Sequence, residues 1–110
     1  MKELNEVIHQ PARLRIMSVL SQFPTGDQVE FVYLKKILNL TDGNLGAHIN
    51  KLEQTGYVLT EKQFVKRKPC TYISMTRQGR NAYEEYVETL TSVLKSLTDQ
   101  TKPPLLPEKS

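Results

Sequence analysis

One short segment constrains this chain more than any other: residues 41–56, TDGNLGAHINKLEQTG. Leu45, Ile49 and Leu52 fall at i, i+4 and i+7. A helix gathers them into one apolar stripe, which needs a core to cover it. Thr41 offers a hydroxyl to cap the first turn, and Asp42 places negative charge where the helix dipole favours it. Gly56 ends the helix, since glycine takes the left-handed C′ conformation without steric cost. Outside the stripe lie Asp42, Gly43, Asn44, Gly46, Ala47, His48, Asn50 and Lys51. This face is small and polar, and its two glycines each cost roughly 1 kcal/mol of helix stability. Small residues let a helix approach a surface closely, and the B-DNA major groove is wide enough to admit one. Asn and Lys are side chains that read base edges or hold phosphates. The alternative is an ordinary surface helix that carries glycines, and the flanking segments decide between the two.

Those flanks repeat the helical theme and then leave it. Residues 2–9 form a short helix or a frayed turn that packs Leu4, Val7 and Ile8, and Pro11 suits the first turn of a new helix. The apolar run from Ala12 to Phe23 predicts that helix, and Pro24-Thr25-Gly26-Asp27 is a turn by composition. A very short strand within 28–31 precedes a second helix, about Val32 to Leu38. Asn39-Leu40 joins it to Thr41, and two short helices across so tight a turn make a helix-turn-helix. After Gly56 the period changes. Tyr57 to Thr60, Phe64-Val65 and Thr71 to Met75 are rich in strand formers. Lys66-Arg67-Lys68-Pro69 between them predicts a β-hairpin with a charged tip. Thr76 reads as the cap of a last helix, about Arg77 to Thr98.

That last helix carries Tyr83, Val87, Leu90, Leu94 and Leu97 at alternating steps of four and three, widened by Tyr86 and Val93. This is a heptad seam, longer than a small three-helix domain needs to cover. Its first part is expected to pack on the domain and its second part on another copy, so these seven residues are the candidate dimer interface. The division is therefore a domain over residues 1–98 and a proline-containing flexible tail over 99–110.

Charge distribution supports a polyanionic partner. The net charge is only +3, but Lys62 to Tyr83 holds six basic residues and no acidic one. Such a local field favours a polyanion. The single cysteine, Cys70, excludes an internal disulfide framework and fits a reducing cytoplasm. Basic neighbours make it a candidate redox sensor against the plainer reading of a small semi-buried filler. The N-terminus lacks the apolar region of a signal peptide, and no stretch has a transmembrane length. Scattered acids and two separated histidines, His9 and His48, suggest no nucleophile–base set, so no enzyme activity is expected.

The chain also resembles a known family. HQPARLRIMSVLSQFP is similar to the first helix of small bacterial and archaeal winged-helix repressors of the arsenical-resistance type. LKKILNLTDGNLGAHINKLEQTGYV resembles their helix-turn-helix, and is most similar to small MarR/ArsR-like winged helix DNA-binding domain regulators. YISMTRQGRNAYEEYVETL matches their strand, LTxxG turn and dimerising helix. The resemblance spans about residues 9–98. It implies an α+β fold, mainly α with a small β-hairpin: a winged helix-turn-helix with a long C-terminal dimerisation helix. It makes Thr41, Asp42, Gly43, Asn44, Ala47, His48, Asn50 and Lys51 the recognition-helix contacts to double-stranded DNA. Lys66, Arg67 and Lys68 become the wing tip, flanked by Lys62, Thr71, Arg77 and Arg80, while Arg13 pairs inside the fold. The chain departs from metal-sensing members, which carry Cys or His clusters, so neither metal nor cofactor is expected. A small-molecule effector, if one is sensed, has room only between the first and last helices of a dimer.

Together these readings make the expected function that of a cytoplasmic, homodimeric transcriptional regulator, a repressor acting by operator occupancy. The alternative is a winged-helix protein-interaction adaptor without sequence-specific DNA binding.

Overall fold

Local capping sets the helix boundaries. The side chain of Gln10 accepts from the Arg13 N–H at 2.8 Å, and Pro11 fills the first turn of α1 (Pro11–Leu20). The helix stops short of Phe23, because Gln22 and Phe23 tighten into turns onto the Val19 and Leu20 carbonyls. β1 (Val29–Glu30) leads straight into α2 (Phe31–Leu38). Asn39 ends α2 in the left-handed region at φ 53° and donates to the Lys35 and Lys36 carbonyls. Thr41 then caps α3 (Asp42–Thr55), its Oγ1 accepting from the Asn44 N–H at 3.1 Å, and Gly56 ends it at φ 88°. The computed structural model describes residues 3–100.

After α3 come β2 (Val58–Val65), β3 (Lys68–Met75) and α4 (Arg77–Gln100). The expected hairpin is part of a three-stranded antiparallel sheet in the order β1-β3-β2, with Val29 opposite Ile73. β2 runs unbroken through Glu61-Lys62-Gln63, where the sequence shows no strand signal. Those polar residues are held extended by pairing with β3 from Cys70 to Tyr72. The tip is shorter than the four residues expected: Val65 pairs with Lys68, so the turn is Lys66-Arg67 alone. α4 is longer than expected, and Asp99 and Gln100 belong to it rather than to the tail. The rest of the proline-containing tail, residues 101–110, lies outside the described residues.

One core serves every element. Ile16, Met17 and Leu20 of α1 meet Leu34 and Leu38 of α2, the α3 stripe Leu45, Ile49 and Leu52, and Val58, Ile73 and Met75 of the sheet. Ile8 joins from the N-terminal turn, which is no helix. Asn5 holds that turn by accepting from the Val7 and Ile8 N–H groups at 3.0 and 3.1 Å. Tyr86 is 2% exposed within the same core, and its phenol meets His9 Nδ1 at 2.7 Å.

The seat of α4 is specified closely. Thr76 Oγ1 accepts from the Gly79 N–H at 2.9 Å and donates to the Gly56 carbonyl at 2.7 Å. Gly79 packs so tightly that an added Cβ would stand 2.0 Å from the Tyr57 carbonyl oxygen. Gly79→Ala must therefore displace backbone, an overpacking cost of about 1–3 kcal/mol. The expected result is a fall in Tm of at least several degrees in thermal denaturation. An unchanged Tm would show that the α4 seat yields freely.

Candidate nucleic-acid interface

At 100° per residue, Gly43, Ala47, Asn50 and Gln54 lie opposite the buried stripe of α3. Gly43, Asn44, Ala47, Asn50 and Lys51 are all exposed. Gln54 extends this face by one turn, and sequence reasoning missed it. Its spacing from Asn50 and Ala47 (i+4 and i+7) carried the signal. Two of the expected contacts also serve the fold. Thr41 caps the helix, and Asp42 forms a 2.9 Å ion pair with Lys35 across the α2–α3 turn. That pair offsets the acidic charge at the N-terminal end of α3.

His48 stands to one side of the outward face. The Arg13 guanidinium meets its Nδ1 at 3.3 Å, and Arg13 Nε donates to the Val7 carbonyl at 2.5 Å. Arginine has only donors, so Nδ1 accepts and the imidazole proton sits on Nε2. Desolvation by burial, and then the charge of Arg13, hold the His48 pKa below its ordinary value of 6.5. A depressed folded-state pKa means that the unfolded chain binds the proton more readily. The contribution is therefore present above about pH 6.5 and is lost as pH falls through the lower folded value. Arg13 is confirmed inside the fold.

The wing tip stores strain. Lys66 and Arg67 adopt φ values of 52° and 66°. A two-residue turn with both residues left-handed is the type that favours Asn-Gly. A side chain with a Cβ resists that conformation by about 1–2 kcal/mol per residue. Lys62, Lys66, Arg67 and Lys68 are all exposed. Strand alternation puts Thr60, Lys62 and Phe64 of β2 on the face toward α3, opposite Ile73, Thr71 and Pro69 of β3. Lys62 and Thr71 line a cleft of about 380 Å³ with Gly46, Asn50 and Glu53 of α3. Glu53 ties its two walls, accepting from the Thr60 N–H at 2.8 Å. α3 and the wing thus form one continuous surface.

Other expected contacts lie elsewhere. Lys68 alternates to the opposite wing face, where half-buried Cys70 stands across from Gln63. Gln28 braces that face by donating to Glu61 and accepting from Gln63. Arg77 is exposed at the start of α4. Arg80 is a correction: it does not flank the wing. Its guanidinium turns inward to Thr25 Oγ1 and the Phe23 carbonyl, both at 2.5 Å, and so satisfies the loop after α1. Among the seam residues, Tyr86 is buried in the chain's own core and Tyr83 bonds the Ser18 hydroxyl at 2.9 Å. Leu90 and Val93 are half-buried, and Val87, Leu94 and Leu97 are exposed. Among the described residues, no three His, Cys, Asp or Glu side chains gather where a metal could bind. No helix among them is long and apolar enough to cross a membrane.

Two measurements check this geometry. Lys66→Asn with Arg67→Gly relieves the left-handed strain, so the double variant is expected to melt several degrees higher. An unchanged or lower Tm would refute a strained tip. By NMR titration, Arg13→Gln is expected to raise the His48 pKa toward its usual value. An unmoved midpoint would show that Arg13 does not bias the ring.

The comparisons with known proteins fall on this architecture. The profile of the winged helix DNA-binding domain family matches residues 12–94. An uncharacterized protein of Methanocaldococcus jannaschii is 38% identical over 97 residues, which is 88% of this chain and 98% of that one. The solved structure of a transcriptional regulator homologue from Pyrococcus horikoshii is similar at TM-score 0.76 and 32% identity, covering 84% of this chain and 89% of that one. A solved Thermoplasma acidophilum chain, at 15% identity, shares the fold with TM-score 0.60 over 89% of this chain and 98% of its own.

Proposed function

The chain belongs to the winged helix DNA-binding domain family, and from that premise we propose that it is a sequence-specific transcriptional regulator. It binds duplex DNA as a homodimer and represses by occupying its operator. The observation that carries this reading is the emptiness around two glycines of α3. A Cβ added to Gly43 or Gly46 would meet nothing within 4 Å, and neither glycine has a positive φ. Nothing among the described residues asks for glycine there, although each costs up to about 1 kcal/mol in a helix. A helix that must enter a groove does ask for it, because small residues permit close approach. Asn50, Gln54 and Asn44 then stand where amide side chains could contact base edges. Lys51 and the wing cations supply phosphate contacts that carry affinity and its salt dependence.

Alanine at both glycines separates the two costs. Gly43→Ala with Gly46→Ala is expected to raise stability by about 1–2 kcal/mol and to weaken binding to the duplex selected by the parent protein at least tenfold. Denaturation and fluorescence anisotropy titration read the two effects. A stabilised variant that binds as well as its parent would remove α3 from the groove.

Dimerisation rests on the far half of α4. That helix of 24 residues reaches about 36 Å at 1.5 Å per residue. Beyond Leu90 it carries Leu94 and Leu97 at 55% and 52% exposure, on the same seam as Val87. Such apolar exposure along one heptad seam fits a second copy. Two recognition helices in successive major grooves then stand about 34 Å apart on a two-fold symmetric site. An effector would act at the α1–α4 region of that dimer. Val87→Glu with Leu94→Glu is expected to convert a dimer to a folded monomer in sedimentation velocity, with loss of tight binding to the two-half-site duplex. A parent protein that sediments as a monomer at tens of micromolar would refute the pairing.

A second reading, a protein-interaction adaptor, is favoured by one observation. Val32, Tyr33 and Ile37 of α2 are 53%, 45% and 51% exposed. The salt response separates the readings, since an adaptor shows no steep salt slope with duplex DNA.

A further inference from the structure

The exposed side chains of the wing include one that cations alone do not explain. Phe64 is 81% exposed, the highest value among the large hydrophobic side chains of the described residues. Leaving so large an apolar ring in water forfeits the gain from burying it. It lies two residues beyond Lys62 on the β2 face that looks toward α3, about 7 Å further out along the strand. Its cross-strand partner is Pro69, also exposed. The two-residue turn makes Val65 and Lys68 the hydrogen-bonded pair that closes the hairpin. Phe64 and Pro69 therefore occupy the next, non-hydrogen-bonded position, where proline's missing N–H is not needed by β2 and opposing side chains stand closest. The result is a small apolar blade immediately behind the cations Lys66 and Arg67.

We infer that Phe64, backed by Pro69, is an apolar wedge that the wing seats in the minor groove of the bound duplex. The inference rests on the DNA-binding reading above and names what the wing does beyond neutralising phosphates. Charge decides the occupant. The tip carries Lys66 and Arg67, Lys62 stands on the same strand face, and no acidic residue occurs between Lys62 and Tyr83. An apolar protein partner would leave these cations unpaired, whereas a polyanion pairs them. The minor groove offers apolar sugar edges and base steps between two phosphate rows. Proteins that bind there insert Phe or Pro against a step, partly unstack it and bend the duplex. The left-handed strain at Lys66 and Arg67 fits the same purpose. The tight turn keeps the two cations at the apex, directly ahead of the blade.

The test compares Phe64→Ala and Phe64→Leu with the full-length parent on the duplex that the parent selects. It measures affinity across salt concentrations and the bend angle by end-to-end energy transfer. Phe64→Ala is expected to bind about tenfold more weakly at every salt concentration, with an unchanged salt slope and a smaller bend. Phe64→Leu, still an apolar wedge, is expected to recover most of both. Because the ring is exposed, neither change is expected to alter Tm. Alanine that binds and bends as the parent does overturns the wedge and leaves DNA binding intact. A shift of Phe64→Ala toward a lower oligomeric state, with unaltered bend, overturns it in favour of a contact between copies. A parent that enriches no duplex overturns the wedge together with the reading beneath it.

Discussion

The contact between Gly79 and the Tyr57 carbonyl holds the rest of the molecule in register. Around it, Thr76 reaches the Gly56 carbonyl, the Thr76 N–H reaches the Tyr57 carbonyl, and the Tyr57 N–H closes the end of α3 on Leu52. Within a few residues the end of α3, both strands of the wing and the start of the long helix are locked together. Any slip here would shift the wing relative to α3, and with it the cleft between Gly46, Asn50, Lys62 and Thr71. α3 and the hairpin keep a fixed relation because they share one backbone junction.

The outward face of α3 is free of structural duty. Leu45, Ile49 and Leu52 supply its burial, so Gly43, Ala47, Asn50 and Gln54 can answer to something outside the chain. The cations divide the same way. Arg80 and Arg13 spend their donors on backbone carbonyls and neighbouring side chains, closing the loop after α1 and the N-terminal turn. Lys62, Lys66, Arg67 and Lys51 remain exposed. One formal charge inventory thus contains two populations: both add to the positive field, and only the second keeps its donors open to a polyanion.

α4 shows a similar split along its length. Its first turns belong to the domain: Tyr83 bonds Ser18, Tyr86 fills the core, and Leu90 packs against that core. Beyond them the seam continues with half-buried Val93 and with Leu94 and Leu97, which are more than half exposed. A heptad pattern in sequence reports that a face is apolar but not what covers it. Here, among the described residues, the cover thins from the chain's own core to partial exposure partway along a single helix.

Periodicity and capping made most of the fold legible. The α3 stripe, the Thr41 and Gly56 boundaries, the α2–α3 turn and the Thr76 cap are local patterns, and local patterns are what a sequence displays. The polar middle of β2 was not legible, because Glu61-Lys62-Gln63 is extended only through pairing with a distant strand. Nor was the two-residue tip, since Lys-Arg is a poor composition for a left-handed turn and only the register of β2 with β3 imposes it. The fates of Arg80, Tyr86 and Phe64 follow the same rule. A sequence shows that a side chain is charged or apolar. Whether it turns toward a carbonyl, a core or open water depends on which remote residues the tertiary fold brings beside it. The sequence by itself determined the helices, their caps and the family of the fold. The tertiary structure alone decided which cations and which apolar side chains were left free to meet a partner.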